Sequence, residues 1–453
     1  MGGEKMLRIV MFPWLAFGHL IPYLHLSNKL AEKGHKITLL LPNKARLQLE
    51  PLNFHPSLIT FHSITVPPLE TLTLPPGTET TADISLNQHG ELSISMDRTR
   101  PEVESILSTQ KPDLVFYDMA HWIPDIASKL GIKSVSYNSV CAISMSHVRP
   151  SVLPKAAATS QVALSSSSYV GSVPQWSRND HNSSVYFGDE ITLLERSIIS
   201  LSSADAIAIR TCREIEGVYC DRVAATFNKP VLVTSHALPD LELQLSPLET
   251  RWADWLARFG PRSVIFCCLG SQHVLDAAQL QELALGLEMT GLPFLMAVKP
   301  PVGYASLKEL LPEGYNDRVS GRGVVHGGWV QQQQILAHPS LGCFVTHCGS
   351  SSMWEGLVSE TQLVLLPQLP DQTLNAKLMA DELKVGVKVE RQQNGWVSKQ
   401  GLCEAINRVM DEDSDISHVV RKNHAKYTSM LISPDFITGY IDNFIKDLQA
   451  LIS

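Results

Sequence analysis

Charge is scarce in this chain. Of its 453 residues, 18% are Asp, Glu, Lys or Arg, the net charge is −8, and no run of basic residues occurs. Nucleic acid and anionic membrane surfaces are held by clustered Lys and Arg, so neither partner is expected. Long apolar runs are lacking too. No stretch reaches the about 18 apolar residues that a bilayer span requires. Residues 1–20 begin like a leader, with Lys5 and Arg8 ahead of apolar residues, but Pro13 and the Gly18-His19 pair interrupt the run and no small-residue cleavage site follows. They read as a first strand. Met6 stands where a myristoylation signal on Gly2 wants Ser or Thr. Eight cysteines are present, none in a CxxC pair, and no Cys/His cluster has zinc spacing. They read as small core residues in a reducing compartment, so a cytoplasmic protein with no metal is expected.

What is abundant is apolar surface, 44% of the residues. That suffices for two sizeable cores, and the length suits two domains. Apolar strand-like runs at residues 7–12, 37–41, 114–117 and 134–137 alternate with helical patterns at 20–33, 93–107 and 123–130. The theme repeats with strands at 263–269, 294–298, 342–346 and 363–366 and helices at 277–289, 353–358 and 375–383. Continuous rather than alternating apolar strands argue for parallel sheets covered on both faces. The expected fold class is α/β, two doubly wound Rossmann-like domains facing a cleft. The join falls near residues 238–248, giving a domain at 1–240, a linker at 241–250, a domain at 251–435 and a closing helix at 436–453. Ser-rich residues 165–184 read as a long loop, a candidate lid.

The densest chemistry lies in WVQQQQILAHPSLGCFVTHCGSSSMWEGLVSETQLVLLPQLPDQ, residues 329–372. Residues 342–346 make a buried strand, His347-Cys348-Gly349 a turn, and Ser350, Ser351 and Ser352 are candidate N-caps of a helix that continues through Glu355. Strand, glycine turn and helix N-terminus together make an anion site that suits a diphosphate. Trp329 offers a flat face to a base. Glu355 can accept from ribose hydroxyls. Asp371 and Gln372, opening the next helix, suit sugar hydroxyls.

This stretch resembles, in register throughout, the signature box of the plant secondary-product UDP-glycosyltransferases, and the resemblance extends over nearly the whole chain. It implies the GT-B fold, a UDP-sugar donor, and donor contacts from Ser271, Trp329, Val330, Gln332, His347, Gly349, Ser350, Ser351, Ser352, Glu355, Asp371 and Gln372. The segment FPWLAFGHLIPYLHLSNKL is similar to the family's first strand-loop-helix, which places the general base at His19. PDLVFYDMAHW places the family's catalytic Asp at Asp118. The chemistry is consistent: a neutral imidazole accepts the acceptor's hydroxyl proton, and a carboxylate behind the ring fixes its tautomer. By the resemblance the first domain holds the acceptor, the second holds the UDP-sugar, and the closing helix packs on the first. No cofactor is implied, since the UDP-sugar is a co-substrate. A monomer is expected.

Blander readings stand beside these. Asp118 can cap the helix starting near Trp122. His25 and His121 read as packing or structural residues. Trp14 and Trp122 line an acceptor pocket or only pack, and Trp329 can be plain core. The acidic run 411–415 reads as a solvated loop rather than a metal site. The chain departs from the family where Ser350 and Ser351 replace the usual Trp and Asn after His-Cys-Gly. FPWLAFGH and HCGSSSMWEG resemble the branch that extends flavonoid, anthocyanin or terpenoid glycosides. The leading expectation is therefore an inverting hexosyltransferase that adds glucose to a small-molecule glycoside. The alternatives are the same chemistry on an aglycone, a UDP-sugar epimerase, and a sugar-nucleotide-binding protein without activity.

Overall fold

The computed structural model describes residues 5–69, 73–148, 186–238, 247–270, 275–301, 304 and 306–453. The serine-rich stretch, most of the join and Ser271 lie outside the described residues. The chain divides into two compact units. Among the described residues, the first contains residues 5–238 and Pro434–Ser453, and the second contains residues 247–433.

The first unit is built on a seven-stranded parallel sheet: β1 (Arg8–Phe12), β2 (Lys36–Pro42), β3 (Ile59–Ile64), β4 (Leu114–Tyr117), β5 (Lys133–Asn138), β6 (Ala206–Ile209) and β7 (Val231–Val233), in the order β3-β2-β1-β4-β5-β6-β7. The second carries β8 (Val264–Cys268), β9 (Phe294–Ala297), β10 (Gly323–His326), β11 (Leu341–Thr346), β12 (Gln362–Leu365) and β13 (Gly386–Lys388), in the order β10-β9-β8-β11-β12-β13, again parallel. Central strands such as β4 and β11 are buried at every residue, which accounts for their unbroken apolar runs. Both sheets reverse winding direction once, beside β1 and β4 in the first and beside β8 and β11 in the second. In open α/β sheets ligands bind outside the carboxyl ends of the strands at such a reversal.

Helix boundaries follow local chemistry. The helix Ile123–Leu130 starts with Pro124 in its first turn and stops at Gly131 in the left-handed region (φ 68°). The helix expected over 93–107 is two helices, His89–Asp97 and Arg100–Gln110. Pro101 belongs at a helix start, not in a helix interior, and it opens the second of them. The helix expected at 375–383 instead begins at Pro370 and ends at Lys377, followed by a wide π turn at Leu378–Glu382. The closing helix, Pro434–Ile452, buries Ile441, Phe444, Ile445 and Leu448, an i, i+3, i+4, i+7 stripe, against the first unit's core, where Phe444 meets Phe116. Seven cysteines are buried and Cys268 is half-buried, and none of the eight is in a disulfide. Among the described residues no helix is long and apolar enough to cross a membrane.

Candidate functional site

Phe12 and Tyr117 are register partners at the ends of β1 and β4, so the residues that follow them emerge side by side at the first sheet's reversal. Residues 13–16 lead into the helix Phe17–Glu32, which carries His19 in its first turn, and Asp118 directly follows β4. His19 Nδ1 lies 2.6 Å from Asp118 Oδ2. The other carboxylate oxygen, Oδ1, accepts from the backbone N–H of Trp14 at 2.7 Å and of Met119 at 2.6 Å. The Asp118 side chain is 3% exposed and that of His19 is 19% exposed. Both oxygens of the carboxylate are therefore held, Oδ1 by two amides and Oδ2 by the imidazole. An ionised Oδ2 accepts only, so Nδ1 carries the proton and Nε2, across the ring, keeps its lone pair.

The reading of Asp118 as a cap of the Ile123–Leu130 helix is not what the structure shows. Trp122 occupies that N-cap position and no side chain caps it. His25 is buried, and burial together with the charge of Arg210 holds its pKa well below the ordinary 6.5. His121 faces the charges of Arg196 and Asp97 and is likewise held low, mainly by burial. Trp14 and Trp122 are both buried, packed on Phe187 and Phe12.

The second site is built the same way. Cys268 and Thr346 are register partners at the ends of β8 and β11. Gly270 follows one and His347-Cys348-Gly349 the other. The His347 ring lies against both glycines: a Cβ at Gly270 would sit 2.7 Å from its Nε2, and one at Gly349 would be closer still. Gly270 also has φ 74°, which L side chains rarely adopt. Cys348 takes the left-handed region too (φ 65°) although it is not glycine. Strain of that kind costs about 1–3 kcal/mol. Asn375 Nδ2 holds the turn by donating to Cys348 O at 3.0 Å, and Cys348 N donates to Thr346 Oγ1 at 3.2 Å.

The helix Ser350–Val358 then begins, with one correction. Its N-cap is Gly349, whose carbonyl accepts from Met353 N at 2.9 Å, so the three serines occupy the first turn rather than the cap. A glycine cap suits a site where a ligand approaches closely, and the leading N–H groups and positive dipole end direct outward from it. Ser352 Oγ accepts from Gln332 Nε2 at 3.0 Å, the same nitrogen lies 2.6 Å from Glu355 Oε2, and Gln333 Nε2 donates to Glu355 Oε1 at 3.0 Å. Gln332, Ser352 and Glu355 are thus one network. Trp329 is 77% exposed, which removes the reading of it as core and leaves an open ring face. Val330 is buried, so only its backbone can serve a ligand. Asp371 stands in the first turn of the helix Pro370–Lys377. Gln372 is buried, and its Oε1 accepts from Gln368 N at 2.9 Å and Leu369 N at 3.1 Å. An amide can both donate and accept, but the acceptor end of this one is committed to the helix start, leaving donation alone for a ligand.

The roles of Gly270, Gln333 and Asn375 escaped the sequence reading. Gly270 carried a signal, a glycine closing the strand FCCLG. Gln333 and Asn375 carried none beyond polarity. The acidic run 411–415 is an exposed connection between the helices Lys399–Met410 and Asp415–Leu431.

Two parallel α/β units, one with a histidine-carboxylate pair at its reversal and the other with a glycine turn and a helix N-terminus at its own, make a fold of GT-B type, the class of the nucleotide-sugar-dependent transferases. A family model described as UDP-glucoronosyl and UDP-glucosyl transferase matches residues 219–425. The chain is 62% identical over 452 residues to UDP-glucosyl transferase 79L3 of Saponaria officinalis, covering 99% of each. It is 48% identical over 465 residues to the anthocyanidin 3-O-glucoside 2'''-O-xylosyltransferase of Arabidopsis thaliana, covering 98% of this chain and 97% of that one. Among solved structures, Glycyrrhiza uralensis UGT73P12 complexed with glycyrrhetinic acid 3-O-monoglucuronide matches with a TM-score of 0.81 at 22% identity, over 99% of this chain and 96% of that one. Arabidopsis thaliana UGT89C1 complexed with UDP matches at 0.77 and 21%, over 98% and 100%. The chain belongs to the plant UDP-glycosyltransferases and is a UDP-sugar-dependent glycosyltransferase.

Proposed function

We propose that this enzyme transfers glucose from UDP-glucose, with inversion, to a sugar hydroxyl of a small-molecule glycoside of the flavonoid or anthocyanin kind. The observation that carries the catalytic part is the His19–Asp118 pair. A sugar hydroxyl is a weak nucleophile at neutral pH. His19 Nε2 takes its proton as the oxygen attacks C1 of the donor sugar, the C1–O bond to UDP breaks, and the proton stays on the imidazolium, offset by Asp118. The nucleophile enters opposite the leaving diphosphate, so the anomeric centre inverts.

The second unit meets the donor's demands. Trp329 stacks on the uracil, Glu355 accepts from the ribose within its glutamine brace, and the first turn of Ser350–Val358 with His347 takes the diphosphate. These groups offset the leaving charge by dipoles and hydrogen bonds, so transfer proceeds without a metal. Asp371 and Gln372 address the sugar hydroxyls, Gln372 as a donor. One chain supplies both halves of the chemistry, and a monomer in the cytoplasm suffices.

The glycoside acceptor is supported by the name of the Arabidopsis relative, a xylosyltransferase acting on an anthocyanidin 3-O-glucoside. Glucose is supported by the names of two Saponaria relatives, 62% and 51% identical, both UDP-glucosyl transferases. The test is competition. The purified enzyme receives equal amounts of an aglycone and its mono-glucoside, then equal amounts of UDP-glucose, UDP-xylose and UDP-galactose, with products resolved by mass and linkage. A dominant aglycone product rejects the acceptor reading, and a dominant xylosyl or galactosyl product rejects the donor reading.

A further inference from the structure

We infer that Arg196 is a positioning residue for the His19–Asp118 pair, an inference that rests on reading that pair as the catalytic base. Arg196 lies on the helix Leu193–Ser203, and its side chain is fully buried. Its guanidinium makes a two-pronged ion pair with Asp97, Nη1 donating to Oδ1 at 2.9 Å and Nη2 to Oδ2. Asp97 Oδ1 also accepts from Trp122 Nε1 at 2.9 Å. A buried pair of this kind contributes little net stability, because desolvation consumes most of the Coulomb gain. Its remaining bonds give it a different use.

Arg196 Nη1 donates to Met119 O at 2.8 Å, and Nε donates to Phe187 O at 2.6 Å. Met119 supplies one of the two N–H groups that hold Asp118 Oδ1. Phe187 packs its ring on Trp14, 5.1 Å between centroids, and Trp14 supplies the other. The planar guanidinium therefore holds the Met119 segment directly, by its carbonyl, and the Trp14 segment through Phe187, whose carbonyl it binds and whose ring packs on Trp14. Orientation of Oδ1 sets Oδ2, and Oδ2 sets the tautomer of His19. The Arg196 guanidinium bonds to Asp97, Met119 O and Phe187 O rather than to His19 or Asp118, so it acts through their supports. A lysine there keeps a charge beside Asp97 but has one nitrogen, and cannot reach Met119 O, Phe187 O and both oxygens of Asp97 in one plane.

The experiment is a double-mutant cycle on turnover in the full-length enzyme. Arg196→Lys is expected to lower kcat by about tenfold while KM for the UDP-sugar stays within about twofold, since geometry at the base is lost and donor binding is not. In an Asp118→Asn background the same exchange is expected to change kcat by less than about twofold, because the group it positions is already gone. Asp97→Asn, isosteric and still able to accept from Trp122, is run in parallel and is expected to show the same dependence on background; it decides the matter if Arg196→Lys does not fold. Arg98→Ala is the control. It removes an exposed ion pair to Asp189 on the adjoining segments and should leave turnover unchanged. An equal loss of kcat in both backgrounds, no loss in either, or an equal loss in Arg98→Ala overturns the inference. Unimpaired turnover in Asp118→Asn by itself is a different result: it removes the base assignment, and the positioning role falls with it.

Discussion

Asp118→Asn tests the base at its most constrained atom. Asparagine keeps the size of aspartate but must choose which end faces which partner. Oδ1 of Asp118 accepts two backbone N–H groups, from Trp14 and Met119, and Oδ2 faces His19. If the new amide oxygen stays with the two N–H groups, its NH2 meets His19 Nδ1. The imidazole must then accept there, its proton moves to Nε2, and the atom that should take the acceptor's proton no longer has a lone pair. If the amide turns over, the tautomer is restored, but two buried N–H groups face an NH2. Each costs about 1–3 kcal/mol, so this arrangement lies about 2–6 kcal/mol higher. At 2 kcal/mol its population is about 3%. The tautomer effect alone is then worth at least about thirtyfold, and loss of the carboxylate's charge beside the imidazolium brings the expected fall in kcat to about 10²–10⁴. The assay is steady-state turnover with saturating UDP-glucose and glycoside, alongside calorimetric titration of UDP and a thermal melt. UDP affinity is expected to be unchanged, since the site proposed for it lies in the second unit, and the melt should shift little. A kcat within about threefold of the parent enzyme, with the protein folded, would refute the reasoning.

Further outcomes follow from individual contacts. Gly270→Ala adds a Cβ 2.7 Å from His347 Nε2 at a backbone φ of 74°, and is expected to weaken UDP binding by at least about tenfold, about 1.4 kcal/mol; calorimetry showing parental affinity rejects the role given to that turn. Trp329→Ala removes a 77% exposed ring, so stability should move by no more than about 0.5 kcal/mol while UDP binding loses about 1–3 kcal/mol of stacking; unchanged affinity sinks the stacking assignment. His25 is held well below its ordinary 6.5, chiefly by burial and then by Arg210, so its contribution to stability is present above about 6.5 and lost as pH falls toward the folded-state value. Each such group can remove up to about 1.4 kcal/mol per pH unit, so His25→Leu should lose less stability than the parent between about pH 7.5 and 5.5 in denaturant titrations. Equal acid sensitivity excludes His25 as a contributor. Activity is expected to persist in EDTA; abolition with rescue by manganese or magnesium would reject metal-independent transfer.

Much of this was legible in the sequence because buried parallel strands write themselves as unbroken apolar runs. β1, β4, β8, β11 and β12, the strands that deliver the candidate site residues, were all found that way. β3, β6, β7, β10 and β13 were not. β7 and β13 are three residues long, and every residue of β10 is only half-buried, so none carries a pattern longer than chance. His19 and Asp118 were placed by resemblance, and the structure brings them together. The serines after Gly349 were misjudged as caps because residue type alone favours Ser over Gly there, whereas close packing against His347 demands Gly. Gln372 reads as a sugar ligand by its place after Asp371, but that its oxygen is bound to its own helix start, leaving only its NH2 for a ligand, shows in the tertiary structure alone. Arg196 gave no signal: an arginine inside LLERSIISLSS reads as a solvated residue, and only tertiary structure shows it buried against Asp97.

The closing helix Pro434–Ile452 has a consequence for synthesis on the ribosome. It fills the first unit's core, yet residues 247–433, a complete second unit, separate it from the rest of that core. The apolar ground that Ile441, Phe444, Ile445 and Leu448 will cover must therefore wait, nascent and uncovered, while about 190 further residues are translated. At about 5–20 residues per second that interval is roughly ten to forty seconds. The unit begun first is thus finished last, and ribosome-bound chains stalled before residue 434 should engage chaperones through the surface that the helix would otherwise seal.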